Sequence, residues 1–552
     1  MAEAMTAAPE PRRFWIFTLS RGEQVVTWAT LLCVGALLFA RLGTYALWDD
    51  EANTSLFGLG VWNTGDTSAQ IGDNVVGYRS GLELKGLKNR LIAPLQYYVV
   101  APFVGLGHRD PFFSRLPFVL LALGAVKLAF YWLKKEKAAL HLWVMVGLGI
   151  IGNVSWLLYQ RQGRYYGLST FLTLLTLYLY LHQDGRWRKV AALAVSAVAL
   201  LSTHYIAYAG LGLALGIDYL AFGLFGPNKS ALRPKHLPLV VGVQALIGGA
   251  VIWVWNPLQK PVTGYVPASW VHDKVTLWWW NLRELNVCEF GVGVLLVLGP
   301  VLFLATRFKH WPLLRLSLGV IVYALGAAGG SPQPVGWAQF ADIRYMQGSI
   351  AAMILLAVLF LDALPKLPAA LKVVLALPLF FTSAVHHYSA KWFTNGMVPE
   401  LRSTFVAYLG ELRTPNVSPY RDAADWLNQN AKAGETAVVI PSFAVYPLMF
   451  HAGHVTYGWQ FDPSARAEYS MLPPIHFTGA ELPTYFVAFG GEVNPVRNTV
   501  NQLTAQGYAY EQVAWLPVHW PDLTRPEFFW RSFVPLPVGA PNDDGVTIFK
   551  RR

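Results

Sequence analysis

The stretch YALWDDEANTS, residues 45–55, places three acids in a row, Asp49, Asp50 and Glu51, directly after an apolar run. That run covers residues 25–43 and approaches the roughly 20 apolar residues that cross a bilayer. A helix N-cap needs one acid, and adjacent carboxylates repel one another, so a cap or a simple hydrophilic stop explains the triplet poorly. The stretch therefore predicts a membrane-spanning helix followed by an acidic site.

Composition places the whole chain among polytopic membrane proteins. Of its 552 residues, 54% are hydrophobic and 14% are charged, and the mean hydropathy is +0.37, which does not suit a soluble multidomain enzyme. The two cysteines, Cys33 and Cys288, provide neither a disulfide framework nor a CxxC-type metal site. The net charge of +11 does not predict nucleic-acid binding, because Lys and Arg lie in short loops between apolar segments.

Further apolar runs predict about eleven membrane-spanning helices in all. The candidate segments are residues 25–43, 112–133, 138–158, 165–182, 189–206, 207–225, 238–256, 290–306, 313–329, 346–364 and 369–386. Lys and Arg cluster in alternate loops, which the positive-inside rule places in the cytoplasm. The acidic stretch and everything after His386 are then predicted to lie outside.

The pattern divides the chain into a cytoplasmic tail (1–24), a transmembrane domain (25–387) and an extracytoplasmic domain (388–552). In the last part, helix-like stretches such as YRDAADWLNQNAKAG alternate with strand-like ones such as TAVVIPS, which predicts an α/β domain. Residues 82–107 and 270–285 mix apolar side chains with cations or tryptophans, as in amphipathic helices that lie along a membrane surface. The predicted fold is mainly α, with interfacial helices and a C-terminal α/β domain.

Cations at the outer helix ends are the second signal, because the positive-inside rule predicts few of them there. Arg161 and Arg164 lie three apart in YQRQGRYYGLS, on one face if that stretch is helical. Two forked guanidiniums suit a pyrophosphate or phosphodiester. Snorkelling or an ion pair explains any one of these cations alone, whereas a bound anion explains the set. The set is Lys85, Lys88, Arg90, Arg115, Arg161, Arg164 and Arg344.

The histidines and the acids of the loops match no known metal-binding pattern. HAGH at 451–454 and the pair His386 and His387 match no zinc pattern. Asp66 and Asp73 are candidate ligands for a divalent cation, but their spacing does not fit an EF-hand loop and a solvated loop explains them as well. His204, in LLSTHYIAYA, is either a structural histidine or a phosphate contact. No cofactor and no metal site are predicted.

Six stretches taken in order carry a resemblance to a family. They are DDEA, NRLIAPLQYY, HRDPFFSRLPFVLLALGAV, YQRQGRYYGLSTFLTLLTLYLYL, LLSTHYIAYAG and DIRYMQGSIAAMILLAVLF. Together they resemble the landmarks of C-type membrane glycosyltransferases, in the branch of protein O-mannosyltransferases and lipid A aminoarabinose transferases. The resemblance implies transfer of a sugar from a polyprenyl phosphate to an acceptor lipid, glycan or protein, with inversion, at the outer face of a bacterial cytoplasmic membrane.

The resemblance carries the family's first-loop acid onto Asp50, with Glu51 and Asp49 beside it. Such a carboxylate would act as general base on a poorly nucleophilic hydroxyl. A polyprenyl phosphate leaves readily, so fixed cations are enough to stabilise the charge that develops on it. The predicted substrate-binding residues are Lys85, Arg90, Arg161, Arg164, Tyr165, His204, Arg344 and Tyr345.

Two other functions compete with the glycosyltransferase. A transporter or flippase of a lipid-linked sugar would also use cations and intramembrane grooves, but it would more typically show paired broken helices or internal repeats. A scaffold led by the C-terminal domain leaves the acids and cations unexplained. The sequence does not identify the sugar or the acceptor.

Overall fold

The structure is a computed structural model that describes residues 19–81, 83–224, 232–256, 269–331, 343–385, 401, 403–415, 418–518 and 542–552. Most of the predicted N-terminal tail and the predicted boundary at 387–388 lie outside these residues. The predicted domain limits therefore remain predictions.

Helices dominate the described chain up to residue 381, and each of the eleven predicted segments coincides with helical structure. The helices are α1 (Arg21–Phe39), α2 (Asp49–Thr64), α3 (Leu95–Leu106), α4 (Pro111–Lys135), α5 (Leu140–Gly152), α6 (Val154–Gln160), α7 (Tyr166–Leu181), α8 (Trp187–Thr203), α9 (Tyr205–Asp218), α10 (Leu237–Val243), α11 (Gly249–Val254), α12 (Trp270–Cys288), α13 (Val292–Ala305), α14 (Trp311–Gly330), α15 (Ile350–Ala363) and α16 (Ala369–Phe381). Short π-helical turns extend α9 and join α10 to α11.

The number of spans is smaller by a strict criterion. Within the described residues, six helices are long and apolar enough to cross a membrane, or seven if the bent pair α5 and α6 forms one span. Four more apolar helices are shorter, including α7 and α13. The polytopic membrane fold is confirmed, whereas the count of eleven is not.

Local sequence sets several helix ends that matter for the site. Ser20 and Glu23 form a capping box that starts α1. Asp110 caps α4 by accepting the N–H of Phe112, and Pro111 fills the first helical position. Asn153 interrupts the next span: its side chain accepts the N–H of Trp156 at 2.8 Å, and α6 leaves α5 at an angle of 65°.

The region between α2 and α3 corrects one prediction. Residues 82–107 are predicted to form amphipathic helices. Helix α3 lies in that range, but residues 83–94 contain the antiparallel hairpin of β3 (Leu84–Lys85) and β4 (Lys88–Asn89). The turn residues Gly86 and Leu87 both have positive φ, at 58° and 56°, which fits a two-residue hairpin turn and breaks a helix. A smaller hairpin, β1 (Gln70–Ile71) and β2 (Asn74–Val75), precedes it.

The C-terminal part contains the predicted mixture of helices and strands. Its helices are α17 (Thr404–Arg413), α18 (Pro419–Asn430), α19 (Val445–His451) and α20 (Val493–Ala505), and its strands are β5 (Thr436–Ile440), β6 (Thr456–Tyr457), β7 (Tyr485–Phe489), β8 (Tyr510–Val518) and β9 (Asn542–Arg551). The five strands form one mixed sheet in the order β6-β5-β7-β9-β8. β5 runs parallel to β6 and β7, whereas β9 is antiparallel to β7 and β8.

This C-terminal part packs directly on α2, the helix that begins with the three acids. Helix α19 contacts α2, and Trp48 and Phe57 share one buried core with Phe450 and Phe461. Side chains bridge the two parts as well, since Asn74 donates to the carbonyl of Val455 at 2.8 Å. The acid-bearing helix is therefore held between the membrane helices and the C-terminal domain.

Candidate active site

Asp50 lies in the first turn of α2 and pairs with two of the predicted cations. Its Oδ2 atom accepts hydrogen bonds from Arg164 and from Nη1 of Arg344, the latter at 3.2 Å. The side chains of Asp50, Arg164 and Arg344 are 16%, 11% and 17% exposed. The fold thus gathers an acid and two arginines, far apart in sequence, at one nearly enclosed point.

Aromatic rings surround this ion cluster. The guanidinium of Arg164 lies 5.7 Å from the ring centre of Trp48 and 5.1 Å from that of Tyr165. Tyr165 stacks on His204 at 4.1 Å, with 19° between the rings, and His204 lies 5.5 Å from Tyr345. Arg344 lies 5.4 Å from the ring of Tyr345 in turn. Weakly hydrated guanidiniums favour such ring faces, so the rings fix where the two positive charges point.

His204 serves as a neutral acceptor in this arrangement. It caps α9, and its Nδ1 atom accepts the N–H of Ala207 at 3.1 Å. The ring therefore contributes shape and stacking area rather than charge.

Glu51 has different partners from its neighbour Asp50. Its Oε1 atom accepts a hydrogen bond from Nε of Arg115 at 2.9 Å, and its Oε2 atom accepts one from Nη2 at 2.7 Å. Oε1 also accepts the backbone N–H of Gly163 at 2.6 Å. Both side chains of the Glu51 and Arg115 pair are buried. A side chain at position 163 would approach the carbonyl of Ser114 to 3.2 Å, so glycine allows this close contact.

Arg115 also holds the segment that precedes the three acids. It donates to the carbonyls of Leu42, Tyr45 and Ala46 at 2.8 to 3.0 Å. Asp49 accepts the N–H of Asp50 at 2.9 Å and is nearly buried. The prediction that Glu51 and Asp49 take part in catalysis stays a prediction, and the geometry gives Glu51 a structural task as well.

Arg161 does not join Arg164 at the ion cluster. Its Nη1 atom donates to the carbonyl of Leu37 at 2.7 Å and to the hydroxyl of Tyr408 at 3.0 Å. The two arginines would share a face only in a helix, but α6 ends at Gln160 and α7 starts at Tyr166. The intervening turn sends their side chains in different directions.

Lys85 and Arg90 also lie apart from Asp50. Arg90 forms a two-pronged pair with Asp66, at 2.9 and 2.7 Å, and lies 5.1 Å from the ring of Trp255. The hydrogen bond from Arg90 lowers the pKa of Asp66. This acid therefore stays ionised and serves as the ion-pair partner of Arg90. Lys85 is exposed and lines a pocket with Trp253 and Asn256, near the end of α11.

Metal ligands do not gather in the part of the chain that the structure describes. There, no group of three or more His, Cys, Asp or Glu side chains is placed to hold a metal ion. His386 and His387 lie outside the described residues. His451, from the HAGH motif, instead accepts the N–H of Leu47 at 3.1 Å.

Sequence reasoning missed several residues around the site. Tyr97 is buried within electrostatic range of Glu83, Arg164 and Asp50. Glu83 is also buried, and it lies next to the hairpin that was expected to be helical. Trp48 could have been noticed in the opening stretch, because it directly precedes the three acids.

Comparisons with known proteins support the fold. No family model matches the chain, and no curated protein matches it in sequence. The crystal structure of ArnT from Cupriavidus metallidurans bound to undecaprenyl phosphate aligns at 15% identity over 96% of this chain and 98% of that chain, with a TM-score of 0.57. The apo structure of the same protein aligns at 15% identity over 95% and 97%, with a TM-score of 0.56. The resemblance drawn from the sequence is thereby confirmed at the level of the fold.

Proposed function

We propose that this protein is a membrane glycosyltransferase that moves a sugar from a polyprenyl-phosphate donor to an acceptor hydroxyl or phosphate. The proposal depends on one observation: Asp50 forms ion pairs with Arg164 and Arg344, and aromatic rings line this cluster. The fold similarity to a protein solved with undecaprenyl phosphate supports a lipid-linked donor. The acceptor class, a lipid, a glycan or a protein, is left open.

The two arginines are suited to hold the phosphate of the donor. The Nε atom of Arg164 is buried and has no hydrogen-bond partner among the described residues, so one donor group is available to a ligand. Phosphate oxygens accept from forked guanidiniums with good geometry. A bound phosphate would compete with Asp50 for the same cations, and the carboxylate would then be free to face the acceptor.

Asp50 is the proposed general base. As the acceptor oxygen attacks the anomeric carbon from the face opposite the phosphate, its proton passes to the carboxylate of Asp50. The bond from the anomeric carbon to the phosphate oxygen breaks, and the electron pair leaves with the polyprenyl phosphate. Arg164 and Arg344 stabilise that charge, and attack from the opposite face inverts the anomeric centre.

The remaining predicted residues take supporting roles in this proposal. Tyr165, His204 and Tyr345 offer flat apolar surfaces to the sugar ring. Lys85 is placed to meet the charged head of a lipid that approaches beside α11. Arg90 and Arg161 would support the site indirectly, through the Asp66 loop and through helix α17.

The proposed location is the bacterial cytoplasmic (inner) membrane, with the site and the C-terminal domain facing the periplasm or exterior. Its support is the run of cations in alternate loops, including Lys134, Lys135 and Lys137. A reporter fused after Lys391 should signal an external position, and one inserted near Lys135 a cytoplasmic one. Reporters that signal the same side would contradict this orientation.

A flippase of lipid-linked sugars is the second candidate. The bent pair α5 and α6 is a broken span of the kind that transporters use. Within the described residues, however, one such pair is present, whereas inverted repeats would produce two.

The test is sugar transfer by the purified protein in detergent, where no membrane separates two compartments. A panel of polyprenyl-phosphate sugars is offered with envelope lipids, glycans and peptides as acceptors. We expect product from the wild type and a loss of about a hundredfold or more in Asp50→Asn. The matched control Asp462→Asn removes an exposed acid and should retain full activity. Unchanged activity in Asp50→Asn would exclude this base. No transfer in detergent, together with translocation of a lipid-linked sugar by the wild type in reconstituted vesicles, would favour the flippase.

A further inference from the structure

Helix α17 lies against the ends of two apolar helices of the membrane domain. The hydroxyl of Tyr408 donates to the carbonyl of Leu37, in the last turn of α1, at 2.9 Å. The ring of Phe405 lies 5.0 Å from that of Phe381, the last residue of α16, in an edge-to-face contact. Because α1 leads directly into the acidic stretch, α17 lies on the same side of the membrane domain as the candidate site.

The face of α17 that points away from these contacts is exposed and carries apolar side chains. Tyr408 is 3% exposed, whereas Val406 and Leu409 are 65% and 41% exposed. Val406 and Leu409 are three residues apart and therefore share one face of the helix. Gly410 and Arg413 are exposed on the same face. A helix with apolar side chains on its exposed face as well as its buried face does not suit water on its outer side.

The two helices that flank α17 expose apolar side chains of their own. Trp28 and Leu32 of α1 are 48% and 70% exposed, and Val374 and Leu377 of α16 are 55% and 44% exposed. In a membrane protein, lipid covers such surfaces. Since α17 lies where these apolar helices end, its exposed face is at the level of the boundary between acyl chains and headgroups.

We propose that α17 is an in-plane membrane helix, whose Val406 and Leu409 enter the lipid on the side of the site. The helix also supports the site, because Arg41 donates to the carbonyl of Leu412 at 2.6 Å and Arg161 donates to the hydroxyl of Tyr408 at 3.0 Å. The lipid contact thus anchors both the chain before the acids and the turn before Arg164. The contact itself is independent of the proposed function, whereas its effect on the site rests on that function.

The first test measures the collision rates of spin labels in nanodiscs of phosphatidylcholine and phosphatidylglycerol. Labels are attached at Val406→Cys or Leu409→Cys in the full chain, with both native cysteines changed to serine. Leu32→Cys on α1 is the lipid reference, and Asn501→Cys, at an exposed position of α20, is the water reference. Oxygen concentrates in lipid, whereas a charged nickel complex stays in water. We expect both α17 labels to show the high ratio of oxygen to nickel collisions of Leu32→Cys, severalfold above that of Asn501→Cys.

Two results of this measurement would overturn the lipid contact. One is a water-like ratio at both α17 positions. The other is shielding of both labels from oxygen and nickel alike, because a second copy of the chain or another protein would then cover this face in place of lipid.

The second test measures sugar transfer in the same nanodiscs with the native cysteines in place. Leu409→Glu puts a charge where lipid is proposed, which is costly, and should lower kcat per folded molecule severalfold. Leu409→Met keeps an apolar side chain, and Asn501→Glu adds the same charge on α20, so both should match the wild type. Equal kcat in all four proteins would overturn the link between α17 and the site. If the labels report lipid but the wild type transfers no sugar, the membrane helix stands and the proposed function fails.

Discussion

The Nε2 atom of His451 accepts a hydrogen bond from the backbone N–H of Leu47 at 3.1 Å, across 404 residues of sequence. Leu47 lies two residues before Asp49, at the entrance to the acid-bearing helix. The same entry segment is held from the C-terminal domain at Arg41, which donates to the carbonyl of Leu412 at 2.6 Å, and at Tyr45, which donates to Glu411 at 3.0 Å. The C-terminal domain is therefore part of the frame that places Asp50.

Loss of the His451 acceptor should slow the reaction without changing donor affinity. Leaving the N–H of Leu47 unsatisfied costs about 1–3 kcal/mol, and part of this cost would appear as misplacement of Asp50. We expect His451→Leu to lower kcat by roughly five- to tenfold with little change in KM, and His451→Gln to recover part of it. His454→Gln, at an exposed histidine three residues away, should behave as the wild type. Equal kcat in all four proteins would contradict this role.

The same histidine makes stability depend on pH. Burial, with the charges of Arg421, Arg115 and Arg109, lowers the pKa of His451 below its usual value of 6.5. The unfolded chain takes up a proton near pH 6.5 while the folded protein does not, so folding loses free energy as the pH falls below that point. Lowering the pH from 7 to 5 should therefore destabilise the wild type more than His451→Gln. Thermal unfolding at each pH measures this difference. Parallel curves would show that His451 does not contribute to the acid sensitivity.

Arg164 should control how well the donor is used. Charge-assisted hydrogen bonds contribute roughly 1.5–3 kcal/mol each, so Arg164→Ala should raise the apparent KM for the donor by about tenfold or more. Arg164→Lys keeps the charge but loses the forked geometry, and it should recover only part of this loss. Donor titration at saturating acceptor gives the comparison.

Arg161 is the matched control for that experiment. It lies in the same turn but donates to Leu37 and Tyr408, so Arg161→Ala should lower thermal stability and leave the donor KM within about twofold. Equal weakening of donor use in Arg161→Ala and Arg164→Ala would show that both arginines bind the phosphate, as the sequence-based prediction has it.

The sequence predicted site residues best where charged side chains occur at positions that membrane proteins usually keep free of charge. Acids directly after a membrane helix and arginines at the predicted outer ends are both unusual, and the structure brings Asp50, Arg164 and Arg344 together. Tyr165 could be found because it directly follows Arg164, and His204 because it ends an apolar segment on the predicted outer side. The membrane class followed from the composition and from the length of the apolar runs, since a bilayer imposes that length.

Pairing and side-chain direction could not be predicted from one sequence. Arg115 forms an ion pair with Glu51 across 64 residues of sequence. No local spacing shows that Arg115 pairs with Glu51 and not with Asp50. The direction of Arg161 depends on the end of α6 at Gln160. The hairpin at Lys85 depends on two positive φ values that a hydrophobic pattern does not reveal.

The buried pair of Glu51 and Arg115 gives the last prediction, which separates a structural from a catalytic role for Glu51. Removing one partner of a buried ion pair leaves an uncompensated charge and costs about 3–5 kcal/mol. We expect Glu51→Gln and Arg115→Met each to lower the unfolding temperature markedly, and the double variant to lose less than the sum of the two.

Transfer activity, measured per folded molecule in the same preparations, completes that experiment. If Glu51 only anchors the start of α2, then Glu51→Gln and Arg115→Met should reduce kcat to a similar extent, because each disturbs Asp50 through the same frame. If Glu51→Gln instead keeps the wild-type unfolding temperature and abolishes transfer, while Arg115→Met remains active, then Glu51 acts on the substrate directly. The sequence-based prediction of Glu51 as a catalytic residue would then stand against the structural role that its contacts with Arg115 and Gly163 indicate.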